Sequence, residues 1–191
     1  VRVILIGETH FAAGCQMIKI EIADTSDAQF LPDIERSSGE AFRHLPSLTW
    51  IADDDVQSLE RHLELIELGQ AWVARSDQGI VGFLSAERFV NSLHIWQMAV
   101  HSDFQKKGIG RALIDEAKQA AASAGLTNLT LTTFRHVAWN EPFYASCGFR
   151  TLKPNDLCER LKATLDAEER AGLPLDQRCA MSCSILEREP V

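Results

Sequence analysis

The chain predicts an α/β (α+β) domain, with a mixed and mostly antiparallel sheet flanked by helices on both faces. Two observations carry this. Strand-length apolar or alternating segments and three- and four-residue apolar periodicities follow one another as β-α-α-β-β-β-α-β-α-β-α-β. A chain of 191 residues, 46% of them hydrophobic, also supplies an ample core.

The elements follow in order. Residues 1–16 look detached and are read as an N-terminal extension or a mis-assigned start, ahead of a single domain over 17–191. Ile18 to Ala23 alternates as a strand, and Asp24 to Asp27 caps a helix running to about Ser38, with Pro32 in its first turn. Phe42, Leu45, Leu48 and Trp50 lie in a connection of loop and helical turns. Asp53, Asp54 and Asp55 precede a helix over about Val56 to Leu68, where carboxylates complement the helix dipole; this is preferred to a metal site. Ala71 to Arg75 and Ile80 to Glu87 are strands joined by a hairpin turn, Ser76 to Gly79, and Gly82 allows close approach. Ser92 to Val100 completes this antiparallel set. A long helix follows, its apolar face built from Ile109, Ala112, Leu113, Ala117, Ala120, Ala121 and Ala124, and Gly125 stops it. Leu129 to Thr133 and Arg150 to Lys153 are strands. Asp156 to Gly172 is a polar helix with Leu157, Leu161 and Leu165 at four-residue steps. Gln177 to Leu186 is the last strand, its Cys179, Met181, Cys183 and Ile185 alternating.

The chemistry concentrates in Gln105-Lys106-Lys107-Gly108-Ile109-Gly110-Arg111, between a buried strand and a helix. The first turn of a helix leaves N–H groups without partners and adds partial positive charge. Gly108 and Gly110 let an anion come close, and Lys106, Lys107 and Arg111 add charge. No GxxxxGK[ST] is present, and no GxGxxG opens a first βαβ unit, so Walker-type and dinucleotide folds are disfavoured.

Gln105-x-x-Gly108-x-Gly110 after a strand ending Met98-Ala99-Val100 resembles the acetyl-CoA motif of the GNAT family, the GCN5-related N-acetyltransferases. Asn140-Glu141-Pro142-Phe143-Tyr144-Ala145-Ser146-Cys147-Gly148-Phe149 resembles the family's second cofactor motif, at the family's distance. The pair, in this order and spacing, is specific to the family. The resemblance implies the GNAT fold, a six- to seven-stranded sheet splayed at its central strands, and direct acetyl transfer from acetyl-CoA to a primary amine.

It also implies roles for residues. The backbone of the Met98, Ala99 and Val100 strand end, at Met98 and Val100, holds pantetheine where the sheet splays after Val100, helped by a β-bulge. The N–H groups from Gln105 through Lys106, Lys107, Gly108, Ile109 and Gly110 to Arg111 take the pyrophosphate. Asn140 bonds the pantetheine, Phe143 packs beside it, and Tyr144 is the acid for the departing thiolate. Two bases stay open. His94 shares a face with Trp96 and Met98 if strand pairing is regular, and in the serotonin-acetylating branch of the family a histidine stands at its place; that branch has a second histidine where this chain has Trp96. Glu87 lies on the neighbouring strand. Family members often carry a glutamate where this chain has Gln97. His136 is read as an acceptor-site contact, Phe42 and Trp50 as an aromatic wall, and Trp96 and Phe134 as marking an apolar or aromatic acceptor.

Composition narrows the partners. A net charge of −8 argues against nucleic acid, and no apolar run approaches membrane-spanning length. Five cysteines without a CxxC pair argue against a disulfide framework or structural zinc, so no metal is expected and the cytoplasm is the expected compartment. The expected partner is a small-molecule amine or a peptide N-terminus. The helix over 156–172 either covers the acceptor site or builds a homodimer contact. The alternative to an enzyme is an acyl-CoA-binding sensor without catalysis.

Overall fold

A computed structural model describes residues 17–185; the 1–16 extension lies outside them. Seven strands form one sheet in the order β1-β2-β3-β4-β5-β7-β6. They are β1 (Lys19–Ile22), β2 (Ala71–Ser76), β3 (Gly79–Phe89), β4 (Ser92–Val100), β5 (Asn128–Phe134), β6 (Arg150–Thr151) and β7 (Arg178–Ser184). Only β4 and β5 run parallel, and every other pair is antiparallel. Five α-helices accompany them: α1 (Leu31–Gly39), α2 (Leu59–Glu67), α3 (Ile109–Ser123), α4 (Glu141–Ser146) and α5 (Glu159–Arg170). None is long and apolar enough to cross a membrane.

The largest core lies between the sheet and α3. Ile109, Leu113, Ile114, Ala117 and Ala121 are buried on α3, against Leu84, Leu93, Ile95, Leu129, Leu131 and Met181. Gly125, at φ +69°, ends the helix as the sequence predicts. On the opposite face α1 packs Leu31 and Ile34 against Val73, Phe83 and Ala99. There α5 covers Ala180 with Leu161 and Leu165. The N-terminal connection is held twice. Asp24 and Asp27 form a reciprocal capping box, and Arg75 of β2 donates two hydrogen bonds to the buried Asp27 carboxylate, at 3.0 and 3.1 Å.

Three local expectations change. The second helix starts at Leu59, because Ser58 Oγ accepts the Arg61 N–H at 3.2 Å. The acidic run is therefore not its cap, and Asp53 instead accepts two bonds from Arg43. The strand after Phe149 is only Arg150–Thr151, since the chain turns at Pro154. The third change concerns β4. Ser85 pairs with Gln97, while the next residue of β3, Ala86, pairs with Ile95. Trp96 is the extra residue of a β-bulge, so the faces of β4 exchange at that point. Leu93, Ile95, Met98 and Val100 face α3, whereas His94, Gln97 and Ala99 face the other side. Pairing of β4 with β5 stops at Ile95 and Leu131. The splay and its bulge therefore lie before Gln97, three residues ahead of Val100.

Gly82 has the close approach predicted for it. A Cβ there would stand 3.1 Å from the Ala99 carbonyl oxygen and 3.3 Å from side-chain carbons of Ile109 and Val100. The start of α3 thus lies directly on β3 and β4. Gly82→Val is expected to lose about 1–3 kcal/mol through overpacking, seen as a fall of several degrees in melting temperature. A variant melting with the wild type would show that α3 has room to move away from the sheet.

Candidate functional site

The parted strands make the site. The His101 N–H donates to the Val81 carbonyl at 2.9 Å, which fixes the phase of the β3–β4 ladder. In an antiparallel pair the residues alternate between bonding across the ladder and pointing away from it. By that phase Met98 and Val100 point their backbone groups away from β3, toward the side β5 has left, whereas Ala99 spends its own on Phe83. Of the three strand-end residues, Met98 and Val100 offer backbone to an extended ligand and Ala99 does not. The Val100 carbonyl is engaged, since Gln105 Nε2 donates to it at 3.1 Å.

The loop after β4 opens as a cradle. Lys106 has φ +60°, and Gly108, at the cap of α3, has φ +83°. Ile109, Gly110 and Arg111 form the first turn, where N–H groups have no intrahelical acceptor. Gly110 is needed for its lack of a side chain: a Cβ would meet Phe143 Cζ at 3.2 Å. Arg111 is less free than its charge implies, because its guanidinium donates to the carbonyl and hydroxyl of Ser146 at 3.1 and 3.0 Å. It ties α3 to α4. Lys107 Nζ lies 4.7 Å from the Phe104 ring centre. Unpaired helical N–H groups, positive backbone turns and a glycine that a side chain would block suit a diphosphate.

Asn140 caps α4 and donates Nδ2 to Thr133 Oγ1 at 2.9 Å, turning toward the parted strands. Phe143 packs between Gly110 and Tyr144, and Tyr144 meets Phe149 edge to face at 5.7 Å. The Tyr144 hydroxyl makes no hydrogen bond among the described residues. Burial, with the neighbouring Cys147, raises its pKa above the ordinary phenol value, so it keeps its proton.

Met98, Ala99, Asn140 and Tyr144 line a cleft of about 360 Å³, whereas Val100, Phe143 and the loop from Gln105 to Arg111 lie outside its lining. Phe42, Phe134 and Leu173 make apolar wall, and Trp96 and Gln97 reach it from β4. Trp50, expected beside Phe42, is exposed and does not line it; Trp139 stacks on Phe42 instead, at 5.6 Å. Two acidic groups missed in the sequence also line it. Glu168 of α5 accepts from Thr132 at 2.5 Å and twice from Arg178, at 2.8 and 3.0 Å, and Arg178 stacks over Phe134 at 4.6 Å. Glu35 of α1 accepts from Gln97. Its position on the same helix face as Leu31, Ile34 and Ser38 is the sequence signal that points it inward.

The candidate bases lie elsewhere. His94 is fully buried and outside the cleft, at a level where β4 is still paired with β5, opposite Thr130. Its Nδ1 is 3.0 Å from Thr130 Oγ1, Trp96 packs against it edge-on at 4.5 Å, and its Nε2 has no partner. Burial and the nearby Arg160 cation push its pKa down to about 3. Glu87 also lies outside the cleft, accepting from Trp96 Nε1 at 2.8 Å and from Arg61 at 3.1 Å. His136 is exposed, at φ +60°, and does not line the cleft.

Residues 67–151 match the family model described as "Acetyltransferase (GNAT) domain". An uncharacterized N-acetyltransferase, YvbK of Bacillus subtilis (strain 168), is 27% identical over 106 residues, spanning 56% of this chain and 67% of that one. The fold resembles that of PaiA N-acetyltransferase from Thermoplasma acidophilum in complex with coenzyme A, with a TM-score of 0.66 at 18% identity, covering 88% of this chain and 99% of that one. It also resembles the ribosomal-protein-S18-alanine N-acetyltransferase of Escherichia coli, with a TM-score of 0.64 at 17% identity, covering 91% and 97%.

Folding keeps His94 neutral, so its stabilising share is complete above the ordinary histidine pKa and drains as pH falls toward about 3. Across about pH 6 to 4 the wild type should lose stability more steeply than His94→Gln, by up to ~1.4 kcal/mol per pH unit. Denaturant unfolding at several pH values gives both slopes. Equal slopes would mean that the folded protein carries a charged His94.

Proposed function

Residues 67–151 are an acetyltransferase (GNAT) domain, and from that premise we propose that the protein moves an acetyl group from acetyl-CoA directly to a primary amine of a small molecule. The observation that carries this is the placement of Tyr144 in one cleft with the parted edge of β4 and with aromatic and acidic side chains. When bound, acetyl-CoA supplies an activated thioester. Met98 and Val100 hold its extended arm by backbone, Asn140 bonds it, Phe143 lies beside it, and the N–H groups of the loop from Gln105 to Arg111 take the diphosphate. Tyr144 holds its proton at the phenol oxygen and gives it to the departing thiolate.

A cleft of about 360 Å³ fits a small ligand. Phe42, Trp96 and Phe134 favour an acceptor with apolar or aromatic character, and Leu173 and Glu168, just beyond and within α5, close its far side. That favours a covering role for α5 over a dimer contact. The four cysteines among the described residues are free thiols, which suits a reducing compartment such as the cytoplasm.

Calorimetric titration with acetyl-CoA, followed by release of free CoA with a panel of amines and an alanine-terminated peptide, tests the reading. Tyr144→Phe is expected to bind acetyl-CoA as the wild type does and to lose roughly 10²–10⁴ in kcat; an unchanged kcat would remove the acid role. Gly110→Val, pushing on Phe143, is expected to weaken acetyl-CoA binding roughly tenfold, about 1.4 kcal/mol, without a matching loss of melting temperature. Binding without turnover of any acceptor would favour a sensor, and turnover of the peptide alone would move the acceptor class to protein N-termini.

A further inference from the structure

We propose that Glu35 is the catalytic base, taking the proton of the acceptor ammonium, with the Gln97 amide and the Gln57 N–H holding its carboxylate at the cleft. The proposal rests on the acetyltransferase reading above and gives it the group that the sequence sought at His94 or Glu87.

Glu35 lines the cleft that contains Tyr144, and neither of the other two candidates does. Both of its oxygens are held. Oε1 accepts from Gln97 Nε2 on β4, and Oε2 accepts the backbone N–H of Gln57 at 3.3 Å. Behind it, His62 of α2 is fully buried, with Nε2 3.9 Å from Oε2. The His62 Nδ1 lies 2.9 Å from Gln57 Nε2, an amide donor, so a neutral imidazole keeps its proton on Nε2, facing Glu35. That Nε2 makes no hydrogen bond among the described residues, so it faces the carboxylate without bonding to it. Burial holds the His62 pKa down at about 4, so the ring stays neutral and leaves the negative charge on Glu35 uncancelled. Burial likewise raises the pKa of Glu35 above the ordinary carboxylate value, bringing its basicity closer to that of an amine.

The other charges around it leave this role open. Arg36, next on the same helix, also lines the cleft and partly offsets the effect of burial on Glu35, but its own charge is paired with Asp33 at 2.6 Å. Asp54 and Asp55, ahead of α2, line the cleft and favour an incoming ammonium, and across the cleft Glu168 is neutralised by Arg178. The β4 residue facing Glu35 is Gln97, an uncharged donor. It cannot take a proton itself, but it keeps the carboxylate turned into the cleft as an acceptor.

The proton balance closes. The ammonium gives one proton to a Glu35 oxygen and becomes a neutral amine. The amine nitrogen forms its bond to the acetyl carbon as the carbon–sulfur bond breaks. Tyr144 gives its proton to the thiolate and is restored by the second proton leaving the new amide nitrogen. Glu35 returns its proton to solvent.

A purely structural Glu35 would be replaced well by glutamine, whose oxygen still accepts from the Gln57 N–H and whose NH2 donates to the Gln97 oxygen once that amide turns over. Glu35→Gln is therefore the test, with melting temperature and acetyl-CoA affinity expected to stay near wild type. Two acceptors separate the roles: phenethylamine, an ammonium at neutral pH, and aniline, which is already neutral. With phenethylamine the variant should lose roughly 10²–10⁴ in kcat/KM, and with aniline only a few-fold. Equal losses on both acceptors, or none on either, overturn the assignment while leaving the transferase intact. Carboxyl-carbon NMR of the protein without acetyl-CoA, with Glu35→Gln giving the assignment, supplies a readout independent of turnover. The Glu35 resonance should titrate above the exposed glutamates, and titration with or below them overturns the proposal. If acetyl-CoA binds and the wild type acetylates no amine, the transferase reading fails and the base falls with it.

Discussion

One extra residue in one strand governs the active face of this molecule. Trp96 has no partner of its own on β3, and past it every side chain of β4 points to the side opposite to regular pairing. Had the ladder run without interruption, His94, Trp96 and Met98 would share a face and Gln97 would lie among the core residues under α3. With the bulge, Met98 and Val100 close the core beneath α3 while Gln97 and Ala99 turn to α1. The same irregularity coincides with the end of pairing to β5, because a bulge bends and twists the strand that carries it. The cleft, the free backbone groups of β4 and the contact from Gln97 to Glu35 all descend from it.

Much of this was legible in the sequence. The glycine loop and the helix after it showed their periodicity and their need for close approach, and the structure gives both Gly82 and Gly110 near neighbours that explain them. The hairpin between β2 and β3 was written in its turn residues. The fold followed from the order of the elements. What escaped was whatever depends on a contact distant in sequence. Trp96 has nothing in its own neighbourhood that marks it as a bulge, since the irregularity is a property of the pair with Ser85 and Ala86. The face of His94 was therefore misread, by a rule correct for regular strands. The run from Asp53 to Asp55 offered a dipole argument, but Ser58 caps α2 from closer and Arg43 competes for Asp53. Glu168 looks in sequence like a solvated helix position, and although Glu35 shares the inward face of its helix, only the cleft gives either carboxylate a purpose.

The polar groups around the cleft show how a charged site is kept on one side of an apolar core. Arg178 and Glu168 are largely buried, yet both are bonded, with Thr132 completing the set and Phe134 beneath the guanidinium. Removing one member alone would strand the other, the costly way to break a buried pair. Folding keeps His62 and His94 neutral instead, so their desolvation is met without a counter-charge. Satisfied pairs thus line the wall that needs charge, and neutral rings fill the places behind it.

The gap between β4 and β5 is also an open sheet edge, and open edges invite other chains to add strands. This one lies in the middle of the sheet rather than at its rim. A strand arriving from another protein needs about 4.8 Å of lateral spacing and room for side chains above and below, and here Phe42, Phe134 and Tyr144 all line the gap. The outer rims are blunted by brevity, with four residues in β1 and two in β6. Among the described residues, the strand backbone left free in the middle of the sheet thus lies in a slot lined by aromatic side chains, apart from the short outer rims.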